Sequence, residues 1–359
     1  MNDKIARLIK KINKLSCSLS KINIMEVCGT HTMAIGKNSL RQILPPNINL
    51  ISGPGCPVCV TPIADIDNVI ALSEESKNYI FSFGDMLKVP GSKSSLYERR
   101  SEGANIKLCY SPADAFDFAQ KNPQKNVIFV AIGFETTSPL TAVIVKEASK
   151  SRTTNFFIYN THKIVPPAIN YLLDIKSSRE NIHAFLCPGH VCAVTGSRPY
   201  ELIAKKYGKP CVISGFTPED ILESLHMILK QIILNEPAAQ IQYKWVVKEE
   251  GNQIALKYLD DVFVTGDSHW RGIGEIKNSG LVFKDEFADF DAKKWFKIKD
   301  KSVPEPKLCS CGEIMQGKKK PFECFLFGKQ CTPDRPVGPC MVSSEGTCAA
   351  YFKYEIHNK

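Results

Sequence analysis

Six cysteines lie close together near the C-terminal end of this chain of 359 residues. They are Cys309, Cys311, Cys324, Cys331, Cys340 and Cys348. Glycine and proline surround them and few long apolar runs separate them, so the segment cannot build a large hydrophobic core of its own. The candidates for the cross-link that holds it are disulfide bonds, zinc and an iron–sulfur cluster. The choice among these constrains both the fold and the function.

The composition predicts a cytoplasmic protein of two or three domains. The first residues, MNDKIARLIKKINKL, do not resemble a signal peptide, and no apolar run approaches the roughly 20 residues of a membrane span. The net charge of +9 is spread along the chain, so we expect neither nucleic acid nor membrane as a partner. Clustered cysteines in a reducing compartment more often bind metal or carry out redox chemistry than form structural disulfides.

Hydrophobic periodicity predicts an N-terminal helix followed by repeated strand–loop–helix units. Residues 3–16 carry their apolar side chains on one stripe of a helix. Short apolar strands then alternate with helical patterns such as 138–150 and 217–235, which is typical of parallel α/β sheets. The predicted strands are 22–27, 48–52, 78–83, 106–110, 126–132, 155–160, 182–186, 210–214 and 241–247.

The predicted fold class is α/β, with two parallel-sheet α/β domains facing a cleft and a small, irregular and partly helical cysteine-rich domain. Residues 1–21 form an N-terminal helix, which we expect to pack on the C-terminal domain. Residues 22–150 form the first α/β domain and residues 151–265 the second. Gly, Pro and Cys become more frequent and the periodicity is lost over residues 266–359, which we assign to the cysteine-rich domain.

Unusual polar motifs follow several predicted strands, at the positions where open α/β sheets bind their ligands. We therefore expect these motifs on one rim of each domain. They are CGTHT (28–32), GPGCPVCVTP (53–62), FGD (83–85), GFETT (133–137), NTHKIVPP (160–167) and CPGHVCAVTG (187–196).

Cys56 and Cys59 form a CxxC pair just before a helix that is predicted to begin after Pro62. Such a pair can form a reversible disulfide, and the helix dipole and free amides lower the pKa of its thiol groups. The alternative is half of a zinc site, but no second pair lies close in the sequence. We favour a redox pair.

Cys28 stands alone at the end of the first strand, three residues before His31. A lone cysteine at a strand end is usually a buried small hydrophobe, but Gly29 and the polar residues after it favour a loop with a chemical role. His31 can hydrogen-bond the thiolate, act as a base or bind metal. A nucleophilic Cys/His pair of the protease type is a rival interpretation without an oxyanion-hole signature to support it.

Glu135 lies in GFETT, at a predicted turn from strand to helix. The structural interpretation is that a neighbouring hydroxyl, of Thr136, Thr137 or Ser138, caps the helix. The functional interpretation makes Glu135 an acid, a base or an anchor. The motif alone does not decide between them.

The spacing of the tail cysteines points to iron and sulfur. There are no paired CxxC knuckles, so a zinc ribbon is not indicated. Four cysteines follow the spacing C-x14-C-x6-C-x16-C, and four thiolates from a loop-rich segment suit a [4Fe–4S] cluster. Spacing alone does not choose these four from the six. The four are Cys309, Cys324, Cys331 and Cys348.

Taken together, the motifs resemble those of the hydrogenase maturation factor HypD family. The resemblance covers nearly the whole chain in order, and the combination is far more specific than any single motif. The segments that carry it are CGTHTMAIG, GPGCPVCVTP, GFETT, WRGIG (270–274) and FECFLFGKQCTPDRPVGPCMVSSEGTCAAY (322–351).

The resemblance implies a role in building the Fe(CN)2CO unit of [NiFe]-hydrogenases. Proteins of this family work with the small chaperone HypC, and HypE donates cyanide whose precursor comes from HypF. The iron would be held between a cysteine of the HypC-like partner and Cys28, with His31 beside it. The chain would then be a monomer within a hetero-complex and a redox-active assembly scaffold more than a conventional enzyme.

The resemblance also implies a source of electrons. Cys56 and Cys59 would be the family's redox dithiol, and a [4Fe–4S] cluster would be held by the four-cysteine pattern. Glu135, with the hydroxyls beside it, would shape the cleft or the partner surface, and Asp85 is a weaker candidate of the same kind. This leaves Cys311 and Cys340 as spares, and Cys187 and Cys192 without a role.

Two other functions fit parts of the pattern. A thiol–disulfide oxidoreductase acting on proteins would use Cys56 and Cys59, with the tail as a structural metal site. A binding protein with a metal-stabilised tail would need neither cysteine. The number of cysteines at strand ends argues against the binding protein.

Overall fold

The computed structural model describes residues 3–299 and 303–356. Its strands form a five-stranded parallel sheet, a four-stranded parallel sheet and a two-stranded hairpin. The strands are β1 (Ile22–Glu26), β2 (Ile48–Ser52), β3 (Asn78–Ser82), β4 (Ile106–Leu108), β5 (Asn126–Ala131), β6 (Phe156–Asn160), β7 (Ala184–Pro188), β8 (Cys211–Ser214), β9 (Ala239–Ile241), β10 (Phe263–Trp270) and β11 (Gly274–Phe283).

Helices connect the strands and continue into the tail. They are α1 (Asp3–Ser16), α2 (Gly29–Lys37), α3 (Leu40–Ile43), α4 (Ile63–Leu72), α5 (Gly84–Leu87), α6 (Leu96–Ser101), α7 (Pro112–Lys121), α8 (Ser138–Lys150), α9 (Val165–Asp174), α10 (Lys176–Asn181), α11 (Gly189–Thr195), α12 (Arg198–Tyr207), α13 (Pro218–Leu234), α14 (Gln253–Val262), α15 (Ala292–Trp295), α16 (Cys311–Met315) and α17 (Thr347–Tyr354). Short 3-10 helices lie at Asp285–Phe290, Pro321–Glu323 and Pro339–Met341.

The predicted α/β class with parallel sheets is confirmed. The larger sheet has the order β2-β1-β7-β8-β9, and the smaller one has the order β4-β3-β5-β6. Every strand pair within these two sheets is parallel, because helical segments carry the chain back across the sheet between strands. The buried strands read as continuous apolar runs, as expected for sheets covered on both faces.

The predicted boundary at residue 150 does not separate the two sheets. β1 and β2 precede it but belong to the same sheet as β7, β8 and β9, which follow it, and β1 lies directly beside β7. β6 follows the boundary but completes the sheet of β3, β4 and β5. Apolar runs indicate where strands are, whereas their order depends on contacts between distant segments, which the pattern does not contain.

The N-terminal helix lies on the larger sheet's side of the molecule. Leu8 and Ile12 of α1 are buried in one cluster with Leu225 and Ile228 of α13. The packing on the C-terminal domain that the sequence predicted is therefore wrong for the described residues. An amphipathic stripe shows that a helix has a partner, but it does not identify the partner.

Two predictions around the end of the second α/β region also need correction. The strand expected at 241–247 ends at Ile241, in β9. The residues from 266 onward were predicted to be irregular. The first of them instead belong to the antiparallel hairpin of β10 and β11. Trp270 closes the hairpin, buried and donating from Nε1 to Ser279 Oγ at 2.8 Å. Exposed polar residues along β10 interrupt the apolar pattern, so the sequence did not predict a strand there.

The cysteine-rich tail shares its core with the rest of the protein. Its buried cysteines and Met315 belong to the same hydrophobic cluster as Met25, Val27 and the CxxC pair. α17 also packs on α2. The segment thus obtains from its neighbours the core that it cannot build alone. Within the part of the chain that the structure describes, no helix is long and apolar enough to cross a membrane.

Candidate metal and redox centre

Cys28 lies at the junction between β1 and α2, as the extended N-cap residue of the helix. The next loop packs directly against it, because Gly29 N donates to Gly55 O at 2.9 Å and a Cβ at Gly55 would collide with Cys28 N. Burial, aided by the negative charge of Glu345, raises the pKa of the Cys28 thiol to about 11. The thiol is therefore neutral at pH 7.

An open cleft of about 620 Å³ gives access to Cys28. Thr30, Thr136 and Thr137 line it, so the CGTHT and GFETT segments meet at this place. Tyr110 stands at the rim and is 86% exposed. The cleft thus combines one thiol, several hydroxyls and an exposed aromatic ring.

His31 points away from this cleft. Its ring is fully buried, and Nε2 lies 3.0 Å from the carbonyl oxygen of Gly215, which can only accept, so Nε2 carries the proton. Burial lowers the pKa of His31 to about 4, and the imidazole is neutral. Nδ1 is buried with no partner among the described residues. The arrangement joins α2 to the loop after β8 and keeps His31 from lining the cleft.

His190 presents an imidazole to the cleft instead. It lines the cleft with Cys28, and its ring stacks on Phe216 with the centroids 3.9 Å apart. His31 stacks on Phe216 at 4.6 Å, and two nearly parallel rings at these distances must lie on opposite faces. The sequence singled out the loop of His190, but nothing in its spacing linked that loop to Cys28.

Glu345 is a second cleft residue that the motifs did not identify. Its Oε1 accepts a hydrogen bond from Thr30 Oγ1 at 2.6 Å, which places a carboxylate beside the N-terminus of α2. Nearby, Ser343 Oγ donates to Asp85 Oδ2 at 2.7 Å. The tail therefore supplies one wall of the cleft, and the FGD loop is fastened to that wall.

Glu135 caps α9, whereas Thr137, the N-cap residue of α8, makes no side-chain capping hydrogen bond. Glu135 Oε1 accepts from Val165 N at 2.9 Å, at the start of α9, where Pro166 and Pro167 have no N–H to offer. Glu135 is buried, and Oε2 has no partner among the described residues. Burial raises its pKa to about 7. Thr136 and Thr137 line the cleft, whereas the buried Glu135 side chain bonds to the start of α9.

Glu135→Gln should remove a pH dependence of stability. Because burial raises the pKa from 4.5 to about 7, the folded state holds this proton while the unfolded chain releases it. The charge of Glu135 therefore lowers the free energy of unfolding progressively over this pH window, by about 3 kcal/mol in all. Urea unfolding at pH 4.5 and pH 7.5 measures this effect. Between these two pH values, the free energy of unfolding of the variant should rise by this amount relative to that of wild type. If the free energies of unfolding of wild type and variant change equally with pH, Glu135 has an ordinary pKa in the folded protein.

Cys56 and Cys59 form a tight turn before α4, and Cys59 N lies 3.3 Å from Cys56 Sγ. Both side chains are buried. Burial, together with a hydrogen bond to Cys340, raises the pKa of Cys59 well above its ordinary value. The expected lowering by the helix amides is therefore wrong for Cys59, because α4 starts only at Ile63 and the thiol is enclosed by the tail.

Cys340 is the centre of a thiol network that links the CxxC turn to the tail. Interactions with the thiols of Cys311, Cys348 and Cys59 lower the pKa of Cys340 well below its ordinary value. Cys59 Sγ also lies 3.8 Å from the carbonyl oxygen of Pro339, the residue before Cys340. The sequence set Cys311 and Cys340 aside as spares. Their contacts place them between the dithiol and the rest of the tail.

The four-cysteine pattern lies around this network. A Cβ at Gly338 would lie 2.6 Å from Cys309 Sγ and 2.5 Å from Cys311 Sγ, and Val337 N lies 3.4 Å from Cys331 Sγ. Cys324 Sγ contacts Leu308 O at 3.9 Å, next to Cys309. Three thiols of the pattern, those of Cys309, Cys324 and Cys331, thus lie beside residues 308–309 and 337–338.

The fourth thiol of the pattern, Cys348, joins this group through its hydrogen bond to Cys311. In residues 3–299 and 303–356, no three candidate ligands converge as they would on a single ion. A cubane cluster instead binds each thiolate to a different iron. The donor set of four thiols and the amide–sulfur contact fit such a cluster.

The fold and these contacts define a parallel-sheet α/β protein in which the CxxC turn and the cysteines of the tail share one buried cluster. The family model named HypD, described as the hydrogenase formation hypA family, matches residues 3–355. The chain is 43% identical over 358 residues to a putative hydrogenase expression/formation protein of Methanocaldococcus jannaschii, covering 99% of this chain and 98% of the relative.

Relatives with a specific name are nearly as similar. The hydrogenase maturation factor HypD of Cupriavidus necator is 42% identical over 342 residues, 93% of this chain and 90% of that protein. HypD of Escherichia coli is 39% identical over 358 residues, 98% of this chain and 95% of that protein. The chain belongs to the HypD family of hydrogenase maturation factors, as the motifs predicted.

Proposed function

We propose that this protein is the scaffold on which the Fe(CN)2CO unit of [NiFe]-hydrogenases is assembled, in complex with a small HypC-like chaperone. One observation carries the proposal. Cys28 opens on a cleft, while the loop behind it leads through Cys56 and Cys59 to Cys340 and the tail. The candidate metal ligand Cys28 and the tail thiols, more than 280 residues apart in sequence, thus lie in one connected region.

The iron cargo would bind at Cys28. A thiolate is a soft ligand suited to low-spin iron that carries cyanide and carbon monoxide, and the incoming iron replaces the thiol proton. The partner would supply a second cysteine through the open side of the cleft, where Leu108 and Tyr110 are exposed. A HypE-like protein, with HypF upstream, would deliver cyanide to the same place.

The thiol network can reduce a disulfide without any external thiol. When Cys56 and Cys59 are oxidised, the Cys340 sulfur attacks Cys59 and releases the Cys56 thiolate, which takes up a proton. Cys311 then attacks Cys340, so Cys59 leaves as a thiol and a Cys311–Cys340 disulfide remains. Two electrons move from one pair to the other, and both steps use sulfurs that already touch.

Cys309, Cys324, Cys331 and Cys348 would hold the [4Fe–4S] cluster. When bound, the cluster supplies electrons one at a time. The tail residues keep its surroundings dry, since three of these cysteines are buried and Cys309 is partly buried. Val337 contributes an amide to the Cys331 sulfur, an interaction that stabilises negative charge there.

Protein purified without air should contain about four irons and four sulfides per chain. Cys324→Ala should lose most of both, because a cubane bound by only three thiolates is labile. Iron and sulfide analysis of wild type and variant measures this, with the buried but distant Cys109→Ala as a matched control. Stoichiometric zinc in wild type would instead favour a thiol–disulfide oxidoreductase with a structural metal tail. Burial of Cys59 already weighs against that alternative, since a protein substrate could not reach its sulfur.

A further inference from the structure

Arg271 is a buried arginine in the turn that joins β10 to β11. Its backbone N donates to Val60 O at 2.8 Å, directly after the CxxC pair. Gly272, with φ of +70°, packs so closely on α16 that a Cβ there would lie 2.6 Å from Gly312 Cα. The turn is therefore wedged between the dithiol and the first cysteines of the tail.

The charge of Arg271 is only partly compensated. Nε pairs with Glu305 Oε2 at 3.0 Å, and Nη1 lies 3.5 Å from Pro90 O. Nη2 is buried and has no partner in the described part of the chain. The Arg271 side chain is 1% exposed and that of Glu305 is 37% exposed, so solvent screens the carboxylate far more than the guanidinium.

This uncompensated charge acts on the tail thiols. Glu305, which pairs with Arg271 Nε, lies four residues before Cys309, and Gly312, on which Gly272 packs, directly follows Cys311. Arg271 thus favours negative charge at Cys309, one of the four proposed cluster ligands. A buried guanidinium with a free donor beside this segment differs from the exposed Arg335 and from the described lysines of the tail, none of which is buried.

We propose that Arg271 is a positioning residue that raises the reduction potential of the tail's iron–sulfur cluster by stabilising the extra negative charge of the reduced state. The partly exposed carboxylate of Glu305 opposes this effect of Arg271 on the reduction potential. The inference rests on the proposed function, because it requires the cluster. It assigns to the WRGIG segment a role that neither the fold nor the cysteine pattern supplies.

The size of the effect follows from electrostatics. Reduction adds one electron to the cluster, and no bond is formed or broken. One buried unit charge near a redox centre, in protein with an effective dielectric constant of about 20, changes such an equilibrium by about tenfold. For a one-electron couple, a tenfold change corresponds to about 59 mV.

The test is a dithionite titration of anaerobically purified, cluster-containing protein, followed by electron paramagnetic resonance. Arg271→Gln should reduce with a midpoint lower by about 59 mV, the tenfold shift above. Arg271→Lys keeps the charge and should remain close to wild type. Glu305→Gln removes the opposing charge and should shift the midpoint upward. The exposed Arg335→Gln is the matched control and should leave it unchanged.

The outcomes separate this inference from the proposed function. A wild-type protein without a reducible cluster would overturn the proposed function. A reducible cluster whose midpoint is the same in wild type and Arg271→Gln would overturn only the role of Arg271. If Arg271→Gln does not retain the cluster, Glu305→Gln decides: an upward shift supports the inference, and a midpoint equal to wild type contradicts it.

Discussion

Cys340→Ala should leave the Cys56–Cys59 disulfide oxidised even when the iron–sulfur cluster in the same molecule is reduced. Cys340 touches Cys59 on one side and Cys311 and Cys348 on the other, so its removal interrupts the contact between dithiol and tail. Thiols held in contact react with very high effective concentrations. We therefore expect the dithiol to form at least about a hundredfold more slowly in the variant.

The measurement is alkylation of free thiols followed by mass spectrometry of the peptide that contains Cys56 and Cys59. Air-oxidised protein is reduced anaerobically with dithionite, and samples are taken over time. Cys109→Ala removes an equally buried thiol outside the network and should behave as wild type. If Cys340→Ala forms the dithiol at the wild-type rate, electrons reach Cys59 by another route and the proposed exchange is wrong.

The local chemistry of the site could be predicted from the sequence because it depends on short-range rules. Parallel strands end at one edge of a sheet, so the motifs after β1 and β2 were expected to meet, and they do at Gly29 and Gly55. The motif after β5 belongs to the other sheet and joins them only because the two sheets pack together at the cleft. Cys28 at the end of β1 and the helix start after Pro62 follow from the same reasoning. The prediction of these features requires only the positions of the strands and of the turn residues.

The sheet order and the sulfur contacts could not be predicted, because they join distant segments. β1 lies beside β7 although more than 150 residues separate them, and no apolar pattern records that pairing. The spacing of the tail cysteines likewise does not show which sulfurs touch. Cys311 and Cys340 therefore looked dispensable, although their thiols connect the dithiol to the tail.

The two histidines show the same limit within the cleft. His31 is close to Cys28 in sequence, but the helix turns its ring toward the loop after β8. His190 is 162 residues from Cys28 and reaches the cleft only because β7 lies next to β1. Proximity along the chain suggested His31, whereas the order of the strands brings His190 into the cleft.

The central claim is that Cys28 holds the iron of the Fe(CN)2CO unit. Infrared spectra of the anaerobic complex with its small chaperone partner test it most directly, because bound cyanide and carbon monoxide absorb where protein does not. Wild type and Cys17→Ala, which removes an exposed thiol, should both show these bands. Cys28→Ala should lose them while keeping the iron and sulfide of the tail. Unchanged bands in Cys28→Ala would contradict the account, because the iron would then be held by another group.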